Sequence, residues 1–206
     1  MSNHFYDRFQ ENCADLESLE KEYGYQMKSA KKLKGALAAE LLKQEINDYF
    51  VTNNINDIVV SPINVYIAGS KSEFDLLIVK KDAKSFENLV YRPEGVVSII
   101  ECKSSGLFNV NNETSNIAKA INSVGEKYPD ITFGYITITE NVPVHECRKD
   151  GNPTVKHWEL TKQYFNEKVN ITSAHYAVTL HKGKKLIDPG NDKEFHRFID
   201  FLIKNK

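Results

Sequence analysis

Hydrophobic positions recur along this chain at two periods, and the changes of period mark its elements. Phe9, Cys13, Leu16 and Tyr23 fall at helical spacing, so residues 4–24 are predicted to form an amphipathic helix that stops at Gly24. A second helix is predicted over 29–51, with Ser29 as its cap and Leu33, Ala36, Leu37 and Leu41 as its apolar stripe. At about 100° per residue Glu40 falls inside that stripe. A carboxylate on a buried face needs a partner or a cation.

Strand periods follow. Residues 57–67 are apolar but interrupted by Pro62, which predicts a bulge or an edge strand. Gly69-Ser70-Lys71-Ser72 reads as a turn, and 73–80 as a strand with Asp75 near its start. Residues 81–95 read as a polar loop. The run Val96-Val97-Ser98-Ile99-Ile100-Glu101-Cys102-Lys103 is apolar on both sides, as expected of a central strand covered on two faces. Ser104-Ser105-Gly106 breaks it. A helix is expected over 113–124 through Ile117, Ala118, Ile121 and Val124, then a strand over 131–139. Further on, a helix is expected over 155–169 around Trp158, a strand over 174–181 and a final helix over 192–204.

The order helix, three strands, helix, strand implies a parallel crossover and an α/β fold, a mixed central sheet flanked by helices. At 206 residues the chain fits one domain. Its core spans about 29–139, with the helix over 4–24 and the elements of 155–206 as additions.

The chemistry concentrates on two strands. Alternation puts Glu101 and Lys103 on one face, two residues apart at the end of an apolar strand. Asp75 opens the preceding apolar strand. Hydrolysis of a phosphodiester requires an oriented or ionised water, neutralisation of charge on the phosphoryl oxygens and a stabilised leaving oxygen. A hard divalent ion serves all three, and hard ions take oxygen ligands. Asp75 and Glu101 offer carboxylates, the backbone carbonyl of Cys102 is a further ligand, and Glu40 reaches the ion directly or through water. Lys103 orients the water and offsets developing charge. Carboxylates nearby keep it protonated, so its expected role is electrostatic. Glu73 is an accessory candidate. Ser104, Ser105, Asn116 and Lys119 follow the catalytic strand, where turn and helix-surface roles suit them better. Tyr135 and Trp158 suit the core.

This series of parts resembles the PD-(D/E)xK, or restriction-endonuclease-like, phosphodiesterase superfamily, and within it a bacterial branch of unknown function. The matching pieces are Glu40 on the first core helix, Asp75 on the second core strand and Glu101-Cys102-Lys103 on the third. Phe74 stands where the motif's proline falls. The resemblance implies an αβββαβ core, dependence on Mg²⁺ or Mn²⁺, and cleavage of nucleic acid, with DNA the expected substrate in restriction, defence or repair. The alternatives are an inactive nucleic-acid- or protein-binding module of the same fold, or an RNase-type toxin.

Composition narrows the rest. A net charge of −1 excludes a polybasic nucleic-acid binder, so contact with an anionic polymer has to use local patches. Lys28, Lys31, Lys32 and Lys34 form one cluster, and Lys182, Lys184 and Lys185 another. Three cysteines without a CxxC pair, no apolar run of membrane length and no secretory n-region lead to the expectation of a cytoplasmic protein with reduced thiols. His145-x-Cys147 lacks the second pair a zinc site needs. The helix over 4–24 is the expected interface of a homodimer.

Overall fold

The computed structural model describes residues 11–12, 14–15, 18–19, 21–22, 27–103, 124, 126–137, 175–179, 193–204 and 206. Helix α1 (Met27–Thr52) leads into nine strands: β1 (Ile58–Val60), β2 (Val65–Ile67), β3 (Glu73–Phe74), β4 (Leu76–Lys80), β5 (Ser85–Phe86), β6 (Val90–Tyr91), β7 (Val96–Lys103), β8 (Thr132–Thr137) and β9 (His175–Thr179). Helix α2 (Lys193–Leu202) follows. The strands form two mixed sheets, a large one in the order β1-β4-β7-β8-β9 and a small one in the order β3-β2-β6-β5.

β7 is the middle strand of the large sheet and covers residues 96–103, as its two-sided apolar run implies. It pairs antiparallel with β4 and parallel with β8, which supplies the expected parallel connection. Leu76, Leu77, Ile78 and Val79 of β4 are at most 2% exposed, so β4 is buried on both faces. On one face Leu76, Ile78, Ile100, Cys102 and Ile136 pack against Ala38, Leu42, Ile46 and Phe50 of α1 and Phe198, Ile199 and Leu202 of α2. On the other, Leu77, Val79, Ile99 and Phe133 pack against Val65, Ile67, Phe74 and Tyr91 of the small sheet and against Val124.

Several expectations are corrected. Pro62 makes no bulge within one strand. It sits in the break between β1, the edge of the large sheet, and β2, an inner strand of the small one. Residues 73–80 are likewise two strands in two sheets, with Asp75 at the change. The polar stretch 81–95 contains β5, β6 and a 3₁₀ turn at Pro93–Gly95. β5 and β6 are joined through Glu87 and Asn88 at φ 51° and 54°, the left-handed pair that a tight hairpin of matching twist requires. Periodicity could not show this, because two-residue strands carry no period.

The N-terminal residues described are helical. The proposed interface residues Phe9, Cys13, Leu16 and Tyr23 lie outside the described residues, as do the helix over 155–169, the helix over 113–124 apart from Val124, and the cluster at Lys182, Lys184 and Lys185. Among the described residues no helix is long and apolar enough to cross a membrane.

The helices are tied together by Tyr49, whose hydroxyl donates to Asp200 Oδ1 at 2.5 Å and whose ring lies 5.0 Å from that of His196. Burial, then the hydrogen bond and the negative charge of Asp200, push the Tyr49 phenol from 10.0 up to about 12. A folded-state value above the unfolded one adds stability that is complete below pH 10 and lost as pH rises through 12. The unfolding midpoint is therefore expected to fall over that window, and to fall less in Tyr49→Phe. Tyr66, through its bond to Glu73, and Tyr91, through burial, are raised in the same direction, so a residual slope remains. Thermal melts at stepped alkaline pH check this.

Candidate active site

Asp75 owes its position to the change of sheet. Pro62 lacks an N–H and cannot continue a ladder. The segment around it instead clamps the start of β4. Ser61 N donates to Leu77 O at 2.9 Å, Leu77 N donates back to Ser61 Oγ at 2.9 Å, and that hydroxyl donates to Pro62 O at 2.7 Å. Asn64, at φ 59°, donates its N–H to the Asp75 carbonyl at 3.0 Å. The backbone of Asp75 is held from the side of β1 and β2 while its side chain is left to turn toward β7.

There the carboxylate meets the main chain of the motif. Cys102 N donates to Asp75 Oδ2 at 2.7 Å, a charge-assisted bond between the first strand's acid and the centre of Glu101-Cys102-Lys103. Leu76 lies opposite Ile100, so one step further Asp75 lies beside Glu101. In a strand the N–H and C=O of one residue point to the same neighbour. The Cys102 carbonyl is therefore directed to the Asp75 side, beyond the end of the β4 ladder.

Glu101 is 8% exposed. It alternates with Ile100 and Cys102, which pack on the helices, and so shares the face of Ile99 on the small-sheet side. Cys102 is a buried free thiol in the core against α1. Lys103 closes β7 opposite Thr137. Its side chain lies outside the described residues, as do Ser104, Ser105, Asn116, Lys119 and Trp158.

Glu40 is placed differently from the sequence expectation. The side of α1 that packs on the sheet is the row Ala38, Leu42, Ile46 and Phe50, at successive spacings of four, with Leu41 buried beside it and Leu37 packed against it. Leu33, taken as part of the stripe, is 46% exposed. Glu40 lies on the outer side of the true row, with its side chain 41% exposed and paired to Lys43 at 3.3 Å. The helix covers the face of the sheet opposite the one Glu101 faces. Among the described residues no three acidic, histidine or cysteine side chains group as a metal cluster, so Glu40 does not join Asp75 and Glu101. Glu73 is also engaged elsewhere. Its Oε2 accepts from the Tyr66 hydroxyl at 2.8 Å on the outward side of the small sheet.

The residues that sequence reasoning missed are Ser61 and Asn64, which hold Asp75. The Ser-Pro pair and the asparagine before a strand are both turn signals, but nothing in one sequence says which strand such a turn grips.

The arrangement of the strands has a counterpart among solved structures. The P. aeruginosa NucC structure, in its cAAA-bound form, superposes on 86% of this chain and 73% of its own at a TM-score of 0.52 and 11% identity. The fold is restriction-endonuclease-like. Two E. coli NucC structures align less well. The cAAA-bound form reaches 0.49 over 86% and 74% of the two chains at 11% identity, and the apo form 0.43 over 83% and 75% at 12%. Neither adds to the argument from the first. No family model and no curated protein matches the chain. In this chain β4, entered at Asp75, and β7, which ends in Glu101-Cys102-Lys103, are neighbours in one mixed sheet, and the Asp75–Cys102 bond joins them.

Proposed function

We propose that this chain is a metal-dependent nuclease of the PD-(D/E)xK type that hydrolyses phosphodiester bonds in DNA. The observation that carries the reading is the 2.7 Å bond from Cys102 N to Asp75 Oδ2, which brings the two halves of the motif together across β4 and β7. The donor set suits a hard cation. Asp75, Glu101 and the Cys102 carbonyl are all oxygen donors. These residues would hold Mg²⁺ or Mn²⁺. Such an ion, when bound, supplies charge for the phosphoryl oxygens and a more acidic water.

The chain's own residues do the rest. The Cys102 N–H fixes the rotamer of Asp75. Glu101 sets negative charge on the small-sheet side of β7, and Lys103, two residues on, holds the attacking water and offsets charge on the phosphate. Glu40, paired with Lys43, stands outside this proposal.

The experiment is cleavage of plasmid DNA by purified protein with Mg²⁺ or Mn²⁺, against the same reaction in EDTA. Divalent-dependent nicking or cutting is the expected result. A second reading, a binding module that keeps the fold without cleavage, is favoured by the absence of a third acid beside Asp75 and Glu101 among the described residues. Protein that binds DNA but neither cuts it nor takes up a divalent ion would establish that reading instead.

A further inference from the structure

The small sheet has one face in the core and one face outward. Val65, Ile67, Phe74 and Tyr91 point inward. The register sets the alternate residues in a row across the other face: Glu73 of β3 opposite Tyr66 of β2, Tyr66 opposite Val90 of β6, and Val90 opposite Phe86 of β5. Phe86 is 72% exposed, and Tyr66 and Val90 are half-buried. An aromatic of that exposure in a short strand is not explained by the core.

One step along the same face the character changes from aromatic to cationic. Arg92 N donates to Lys84 O at 3.0 Å, which puts these two residues side by side, two positions from Val90 and Phe86. Both are exposed, and among the described residues neither forms an ion pair. In a chain of net charge −1 this is a local positive strip laid against two flat apolar rings.

We propose that the outward face of the small sheet binds single-stranded nucleic acid, its bases stacking on Phe86 and Tyr66 and its phosphates meeting Lys84 and Arg92. Rings two strands apart are separated by about 10 Å across Val90, which leaves room for bases to lie flat on each. Stacking of this kind tolerates any base, and the phosphate contacts make it salt-dependent. The cations decide between this occupant and a second copy of the chain. A self-association patch of this size gains nothing from two positive side chains that form no ion pair among the described residues, whereas a polyanion does. Binding at this face does not depend on the nuclease reading.

The test is fluorescence anisotropy of labelled oligothymidylate in EDTA, so that cleavage plays no part, with sedimentation velocity on the same samples. Phe86→Ala is expected to weaken binding about tenfold, Phe86→Trp to retain it, and Phe86→Leu to behave like alanine. Lys84→Ala with Arg92→Ala is expected to reduce the slope of log Kd against log salt by about one. Phe86 is exposed, so these variants are expected to melt as the wild type does. Oligonucleotide affinity within about twofold of wild type in all the face variants would overturn the proposal. So would a change in oligomeric state on Phe86→Ala without a change in affinity. The nuclease reading fails separately, through absence of divalent-dependent cleavage in protein whose face binds as expected.

Discussion

Asp75→Asn is expected to reduce divalent-dependent DNA cleavage by at least about a thousandfold, with little change in the melting temperature. The substitution keeps the shape of the side chain and an oxygen that still accepts from Cys102 N, bonded at 2.7 Å in the native protein. It removes the charge that a hard cation requires, and charge at the phosphoryl centre is where such catalysis resides. Glu101→Gln is expected to match it, since Glu101 stands beside Asp75 in register and is only 8% exposed. Lys103→Ala should cost about a hundredfold or more. Glu40→Ala is the contrast. Its carboxylate pairs with Lys43 on its own helix, so cleavage should stay within about threefold of wild type. Initial rates on supercoiled plasmid, with melts alongside, decide these four together. Cleavage undiminished in Asp75→Asn would remove Asp75 from the chemistry.

The largest effect on stability is expected at Gly134, in the middle of β8. A Cβ built there would lie 2.7 Å and 2.8 Å from two ring carbons of Phe198 and 2.8 Å from a methyl of Leu202. Phe198 and Leu202 are both fully buried, so neither has room to withdraw. The notch left by glycine is what lets α2 seat against the large sheet. The C-terminal turn of that helix is then fixed by Thr132, whose hydroxyl donates to Leu202 O at 2.8 Å. Gly134→Ala is expected to cost about 1–3 kcal/mol, the usual range for overpacking, and Gly134→Val more. For a chain of this length 1 kcal/mol corresponds to roughly 2–4 °C in melting temperature. Phe198→Leu placed in the Gly134→Ala background should recover part of the loss, because it clears the atoms that clash. Thermal and denaturant unfolding measure both.

The strongly periodic parts of the fold were legible in the sequence. β7 was readable because eight residues that are apolar on both sides suit a strand covered on two faces, and α2 because Phe195, Phe198, Ile199 and Leu202 recur at helical spacing. The small sheet was not, since strands of two and three residues show no period and are held by register alone. For the same reason 57–67 and 73–80 read as single strands when each changes sheet at Pro62 and Asp75. The nearness of Asp75 to Glu101-Cys102-Lys103 was legible, as an acid and Glu-x-Lys on successive apolar strands. Glu40 was misplaced because α1 carries apolar residues on more than one side. Of the expected stripe Leu33, Ala36, Leu37 and Leu41, Leu41 is buried in the core and Leu37 packs against it, but the row from Ala38 to Phe50 runs down the other side of that contact and leaves Leu33 and Glu40 outside it.

The central claim is that Asp75 and Glu101 share one hard cation. Titration of Mn²⁺ into metal-free protein, followed by the loss of the free-ion paramagnetic resonance signal, tests it without reference to cleavage. The account predicts one saturable site in the wild type and in Glu40→Ala, and its loss in Asp75→Asn and in Glu101→Gln. A site that persists in both of those variants, or no site in the wild type, would contradict it.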